Sequence, residues 1–200
     1  MGTESELKLH LDSEAQLQAV LAWDALSALR VGTPFTVEMQ TTYYDTLDSG
    51  FSSRHWTVRR RMENGRSVIC VKTPRLNADS LLRGEWEVEA PSLEVGLPRL
   101  VDAGAPQELP QLAQKGVVAV CGARFLRRAQ LLALPDGTTC ELALDAGELF
   151  KGETKLPFFE LELELKSGSE TLMRCFGQRL CAQFSLHAEP KSKFARARAL

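Results

Sequence analysis

The sequence has no Cys-x-x-Cys pair, no long apolar run, no surplus of charge and no internal repeat. Each gap excludes something. The five cysteines (Cys70, Cys121, Cys140, Cys175 and Cys181) are odd in number and scattered, which fits reduced thiols in a cytoplasmic protein and offers no zinc-site spacing. No stretch approaches the ~20 apolar residues of a membrane span. The acidic start, Met-Gly-Thr-Glu-Ser-Glu, reads as neither a signal nor a transit peptide. Lys and Arg number 24 against 26 Asp and Glu, a net charge of −2, so a strongly basic nucleic-acid binder is excluded. Ser167-Gly168-Ser169 looks like a helix cap and not a phosphate loop. What remains is a 200-residue chain, 44% hydrophobic, long enough to bury a full core without disulfides or metal staples.

Short alternating segments dominate the chain. Strands are expected over 4–11, 38–46, 56–61, 67–73, 83–90, 124–134, 138–145 and 157–166. Asn64-Gly65 and Asp136-Gly137 offer the positive-φ positions of tight hairpins. Helices are expected over 13–29, 109–121 and 167–184, the first and third opening with Ser13-x-x-Gln16 and Ser167-x-x-Glu170 capping boxes. The fold class is therefore α+β, and eight strands are enough to close a small barrel without exposed edges.

Strand parity locates the charges. Residues i and i+2 share a face, so Glu4, Glu6, Lys8 and His10 line one side of the first strand and Leu7, Leu9 and Leu11 the other. Glu160, Glu162 and Glu164 alternate with Leu161, Leu163 and Leu165. Arg83, Glu85, Glu87 and Glu89 share a face, as do Glu141, Ala143 and Asp145, and as do Arg59 and Arg61. Any one such strand is ordinarily a wet sheet face. Faces this uniformly ionisable are different, because three carboxylates in a row repel unless cations lie nearby. If apolar faces turn outward against helices, the charged faces turn inward. Clustered carboxylates bind hard divalent cations through oxygen, and clustered Arg and Lys bind phosphate oxygens. The mixture points to a highly charged polyphosphate carried with its metal.

The order of motifs carries a resemblance. Glu4-Ser5-Glu6-Leu7-Lys8 reads as Glu-x-Glu-x-Lys. It is followed by Tyr43-Tyr44-Asp45-Thr46, Val58-Arg59-Arg60-Arg61, Glu63-Asn64-Gly65, Val71-Lys72, Arg83-Gly84-Glu85 and Arg124-Phe125-Leu126-Arg127. Glu141 to Glu148, the Glu160-Leu-Glu-Leu-Glu-Leu165 strand and Ser192-Lys193 with Arg196 close the set. Over essentially its whole length the chain resembles the CYTH domains, or triphosphate tunnel metalloenzymes, and within them the bacterial inorganic triphosphatases. The helical CHAD domain that often follows in that branch has no counterpart in these 200 residues, so residues 1–200 are expected to be one CYTH domain.

That resemblance implies an eight-stranded antiparallel β-barrel with flanking helices and a charged lumen. It implies Mg²⁺ or Mn²⁺ held by Glu4, Glu6, Asp145 and members of Glu160, Glu162 and Glu164; parity cannot say which of the last three bind. It assigns the triphosphate to Lys8, Arg59, Arg61, Lys72, Arg83, Arg127 and Lys193, with Lys191 and Arg196 at a rim. Catalysis falls to Glu4, Glu6, Lys8, Lys72 and Glu85, with Glu87 and Glu141 in support. The activity expected is metal-dependent cleavage of inorganic triphosphate to pyrophosphate and phosphate without a phosphoenzyme. The alternatives are thiamine or nucleoside triphosphate as substrate, a class IV adenylate cyclase reaction, or polyphosphate binding without turnover. No sequence feature marks a nucleoside pocket. The protein is expected to be a cytoplasmic monomer or homodimer with a small-molecule substrate and neither nucleic acid nor membrane as partner. Arg60 should point outward; Tyr43 and Tyr44 read as packing residues. Arg124 and Arg128 have the parity opposite to Arg127, and a one-residue bulge would exchange their roles.

Overall fold

The computed structural model describes residues 2–3, 5–75 and 83–200. The strands are β1 (Gly2–Thr3), β2 (Glu6–Leu11), β3 (Arg30–Thr46), β4 (Thr57–Glu63), β5 (Arg66–Arg75) and β6 (Arg83–Glu89), then β7 (Val117–Ala133), β8 (Thr139–Lys151), β9 (Thr154–Ser167) and β10 (His187–Ala188). The helices are α1 (Glu14–Leu21), α2 (Asp24–Ser27), α3 (Leu93–Asp102), α4 (Leu109–Ala113), α5 (Glu170–Phe184) and α6 (Lys193–Arg198). All strands join one antiparallel sheet in the order β1-β6-β5-β4-β3-β7-β8-β9-β2-β10. Among the described residues the expected closed eight-stranded barrel is thus a ten-stranded sheet with no ladder joining its two ends. Its two ends still meet. Gly2 and Thr3 pair with Glu85 and Gly84 on β6, whereas the Ser5 carbonyl accepts the Leu165 N–H of β9 at 2.9 Å. Thr3 and Ser5 lie within about 7 Å along the chain, so the N-terminal segment spans the seam and the sheet is rolled into a tunnel.

Alternation decides which face is inside. Leu9, Leu11, Leu142, Leu144, Leu161 and Leu163 are buried with Leu17 and Val20 of α1 and Phe176 and Leu180 of α5. Val58, Ile69 and Val71 are covered by Leu97 and Leu100 of α3 and Leu109 of α4. A third cluster sets Ala197 of α6 against Tyr43, Cys121, Leu149 and Phe158. A fully buried leucine contributes ~1.5–3 kcal/mol, so helices on the leucine face fix the pleat and force the charged alternates of these strands into the tunnel.

Several elements differ from the sequence expectations. The helix expected over 13–29 breaks at Trp23, which is extended (φ −69, ψ 120) and places its ring against Phe176 and Phe184 at 6.4 and 5.6 Å. The helix expected over 109–121 ends at Ala113; Gly116 turns the chain at φ +89 and 117–121 open β7. β3 begins at Arg30, earlier than 38, because Gly32 and Pro34 mimic a turn inside a strand with a register shift between Val31 and Phe35. α3 and α6 are absent from the sequence expectations, although Ser92 and Ser192 stand at their N-caps and the Ser192 hydroxyl accepts the Ala195 N–H at 3.1 Å. Asn64 and Gly65 both take positive φ, 48 and 87, as an Asn-Gly hairpin requires. At Asp136-Gly137 only the glycine does, because Pro135 leads a wider turn closed by the Gly137 N–H on the Leu134 carbonyl at 2.9 Å.

Asp45 at the end of β3 anchors α6. Its Oδ1 accepts the N–H groups of Thr46, Phe51 and Ser52 at 2.9, 3.0 and 3.3 Å, and its Oδ2 accepts Arg198 Nη1 at 2.9 Å. Burial pushes this carboxyl up, but hydrogen bonds from Ser52, Arg198 and Thr46 outweigh it and hold Asp45 below its ordinary value. A carboxyl depressed in the folded state stabilises it above the unfolded pKa of about 3.8 and loses that contribution as pH falls through the folded value. Asp45→Asn should therefore cost about 1–3 kcal/mol at pH 7, with the gap to wild type closing below pH 4. Thermal melts at pH 7 and pH 3 check this; equal melting temperatures at pH 7 contradict it.

Candidate functional site

The rolled sheet encloses a cavity of about 550 Å³. Burial along the inward face of β3 gives its axis. Phe35 is 47% exposed, Met39 8% and Tyr43 3%, so the tunnel is open near Phe35 and deep at Tyr43. α6 covers the deep end, with the Phe194 ring tilted against Tyr43 at 5.1 Å between centroids. Seven bases line the cavity (Lys8, Arg59, Arg61, Lys72, Arg127, Lys166 and Lys193) and seven glutamates face them (Glu6, Glu63, Glu85, Glu87, Glu141, Glu162 and Glu164). Before anything binds, the described lining is neutral.

The charges fall into two networks on opposite walls. On the β4–β5–β6 wall, Arg59 Nη2 contacts Glu85 and Glu87 at 3.4 and 3.2 Å, and Arg61 reaches Glu87 at 3.2 Å and Glu63 at 2.5 Å. Lys72 Nζ lies 2.8 Å from Glu85, which also accepts the Cys70 thiol at 3.3 Å. Burial pushes that thiol up to about 12, so Cys70 is no nucleophile. Glu87, which burial alone would raise, is held low by Arg61, Arg59 and Lys72.

On the β7–β8–β9 wall, Arg127 forks onto Asp145 with both contacts at 2.8 Å and also binds Glu162. Lys193, delivered by α6, sits 2.8 Å from Asp145, 2.7 Å from Glu162, and against Glu160. Arg196 closes onto Glu160 and reaches Glu189 at 3.3 Å. Phe125 and Phe158 lie beneath the Lys193 ammonium at 5.3 and 5.5 Å. Burial, reinforced by the Glu162 charge, raises Glu160 to about 7. Glu162 is itself desolvated, yet Lys193 and Arg127 hold it well below the carboxylate range.

The expected residues separate clearly. Glu6, Lys8, Arg59, Arg61, Lys72, Glu85, Glu87, Arg127, Glu141, Glu162, Glu164 and Lys193 all line the cavity. Asp145 and Glu160 are fully buried behind it, holding Arg127, Lys193 and Arg196. Lys191 is exposed outside it. Glu4 and the side chain of Arg83 lie outside the described residues. Arg127 keeps the inward place, since no bulge intervenes: Arg124 instead lies over the Phe150 ring and Arg128 faces Glu14. Arg60 turns to Ser67, 2.9 Å away on β5. Sequence reasoning missed Glu63 and Lys166, although each stands two residues beyond a recognised lumen residue and parity alone would have included it. Tyr43, read as packing, lines the cavity as well.

The donor set fits a hard cation. Glu6 stands opposite Glu164, which stands opposite Glu141 on β8, giving three carboxylates on adjacent strands with neighbouring Cβ atoms ~4.5–5.5 Å apart. Lys166 Nζ approaches Glu164 at 2.8 Å and Glu141 at 3.9 Å. Among the described residues two tighter groups could also hold a metal ion, Cys70–Glu85–Glu87 and Asp145–Glu160–Glu162. Both are already clamped by arginine and lysine, and a cation entering there would have to displace one. Buried Arg59 Nε and Arg196 Nε have no hydrogen-bond partner among the described residues, leaving donors for an anion.

Comparison with known proteins agrees with this geometry. Three solved structures share the fold: the Hippeastrum protein HpAC1, described as an adenylyl cyclase candidate with a dominant triphosphatase activity (18% identity, TM-score 0.62, covering 98% of this chain and 95% of that one); a Vibrio parahaemolyticus adenylate cyclase candidate (15%, 0.57, 99% and 98%); and PH1819 from Pyrococcus horikoshii (16%, 0.55, 96% and 97%). At such identities the likeness is one of fold. The family model for the CYTH domain matches residues 2–197, and the chain belongs to that family.

Proposed function

We propose that this chain, read as a single CYTH domain, hydrolyses the terminal phosphoanhydride of a triphosphate with Mg²⁺ or Mn²⁺, inorganic triphosphate being the minimal substrate. The observation that carries the reading is the neutral, interleaved lining that the described residues give the tunnel. A polyanion has no reason to enter a neutral cavity alone. With divalent cations present, the carboxylates would hold the metal, and the lysines and arginines now paired to them would be available to the phosphate oxygens.

In this reading Glu6, Glu164 and Glu141 would hold the metal, and Glu162 would join them only on release from Arg127 and Lys193. When bound, the metal would neutralise phosphate charge and lower the pKa of water. Arg59, Arg61, Lys72, Lys8, Arg127 and Lys193 grip the triphosphate oxygens. Phosphoryl transfer needs in-line placement and dispersal of charge more than covalent help, and rigid strands provide the placement. Glu85 fixes Lys72 and Arg59, while Asp145 and Glu160 fix Arg127, Lys193 and Arg196. Among the described residues no side chain in the cavity is poised as a nucleophile, so water is the attacking group in this reading. Two of the similar structures are of adenylate cyclase candidates, which favours nucleoside triphosphates as the second reading.

The direct test is release of phosphate from tripolyphosphate, ATP and thiamine triphosphate with Mg²⁺ or Mn²⁺, with cyclic AMP followed in parallel. Phosphate from tripolyphosphate is expected, and none with either metal overturns the reading. Glu6→Gln and Glu164→Gln should each lower kcat by ~100-fold or more. Arg59→Ala should mainly raise KM, by ~10–100-fold, through loss of a charged hydrogen bond; a fall in kcat at unchanged KM contradicts that division.

A further inference from the structure

The last inward residue of β9 departs from the ladder. Leu165 stands opposite Cys140 and Ser167 opposite Thr139, so Lys166 is the extra residue of a β-bulge and has no partner on β8. A bulge re-aims the side chain it carries. Lys166 lines the cavity, and its ammonium lies 2.8 Å from Glu164 and 3.9 Å from Glu141. It therefore rests against two of the three carboxylates that the reading above gives to the metal. Register puts it at the open end. Phe35, Ala129, Ala143 and Glu162 stand across one another on β3, β7, β8 and β9, and Lys166 lies further out along β9.

Accessibility sets this base apart from its neighbours. The Lys166 side chain is 36% exposed, against 18% for Arg127 and 9% for Lys193 on the same wall. Arg127 and Lys193 cannot leave their carboxylates without stranding a buried charge. Lys166 can, because a flexible four-carbon stem at the mouth carries its ammonium into water, and an ion pair this exposed contributes little to stability. We propose that Lys166 is a tethered counter-cation among Glu6, Glu141 and Glu164, displaced when a divalent ion arrives, and that it sets the metal concentration at which the tunnel loads. This rests on the metal reading of these glutamates and adds the residue that governs their affinity. A dication and an ammonium compete for the same carboxylate oxygens, so metal uptake must expel Lys166 or face its charge at close range.

Calorimetric titration of the protein with Mn²⁺, with no phosphate ligand present, reads this competition without turnover. Lys166→Met should bind Mn²⁺ about fivefold more tightly than wild type, the scale of one partly exposed ion pair. Lys166→Arg keeps the charge and should stay within about twofold of wild type. Lys155→Met controls for net charge, since Lys155 pairs with Glu148 outside the cavity lining, and it too should stay within about twofold. Melting curves check that each variant folds. A Lys166→Met affinity within about twofold of wild type, or a gain matched by Lys155→Met or Lys166→Arg, overturns the proposal. Failure of the metal reading has another signature. Either Mn²⁺ binds neither wild type nor Lys166→Met, or Glu164→Gln binds it as tightly as wild type, and each result overturns both.

Discussion

The structure depends on the pairing of opposite charges inside a rolled sheet. Isolated charges of either sign could not stay there, because desolvating an ion costs several kcal/mol unless a partner repays it. Interleaving is the solution: Arg59 between Glu85 and Glu87, Lys72 on Glu85, Arg127 between Asp145 and Glu162. Such a lining is tolerable when empty and still responsive. Each pair can exchange its partner, carboxylate to metal and base to phosphate, without leaving a buried charge alone. The two walls differ in this respect. Asp145, Glu160 and Arg196 lie behind the cavity and fix the position of Lys193, whereas Glu6, Glu141 and Glu164 line the cavity where exchange can occur.

The rest of the fold serves that interior. Helices on the outside absorb the leucine face of the strands, which leaves the ionisable face only one place to go. The N-terminal segment spans the seam between β6 and β9, so the residues nearest the start of the chain are also those that bring the two walls together. The C-terminal helix closes the deep end and supplies Lys193, and Asp45 ties it down through Arg198. Both chain ends thus contribute side chains to one cavity, and the open end at Phe35 gives that cavity a direction.

Much of this was legible in the sequence because period-two alternation is a strong signal and survives errors in strand length. The shared face of Glu162 with Glu160 and Glu164, and of Arg59 with Arg61, follows from parity alone, whereas parity left Arg127 exchangeable with Arg124 and Arg128 until the unbulged β7–β8 ladder placed it. Boundaries were less legible. Gly32 and Pro34 hid the first half of β3, and with it Phe35, because turn residues sit inside a strand at an irregular register. The break at Trp23 depends on tertiary contact with Phe176 and Phe184, which no local pattern contains. Parity likewise cannot separate Glu160 from Glu162 and Glu164. Only the arrival of α6 against Glu160 does so, burying that carboxylate beneath Lys193 and Arg196.

The central claim is that triphosphate and metal enter by exchanging partners with a neutral ionic lining, which makes their binding mutually dependent. The most direct measurement is a calorimetric linkage cycle with Mn²⁺ and imidotriphosphate, a slowly hydrolysed analogue of triphosphate, corrected for metal–phosphate complexes in solution. Imidotriphosphate affinity should rise at least about tenfold with Mn²⁺, and Mn²⁺ affinity should rise by the same factor with imidotriphosphate. Full imidotriphosphate affinity in the absence of metal would contradict the account.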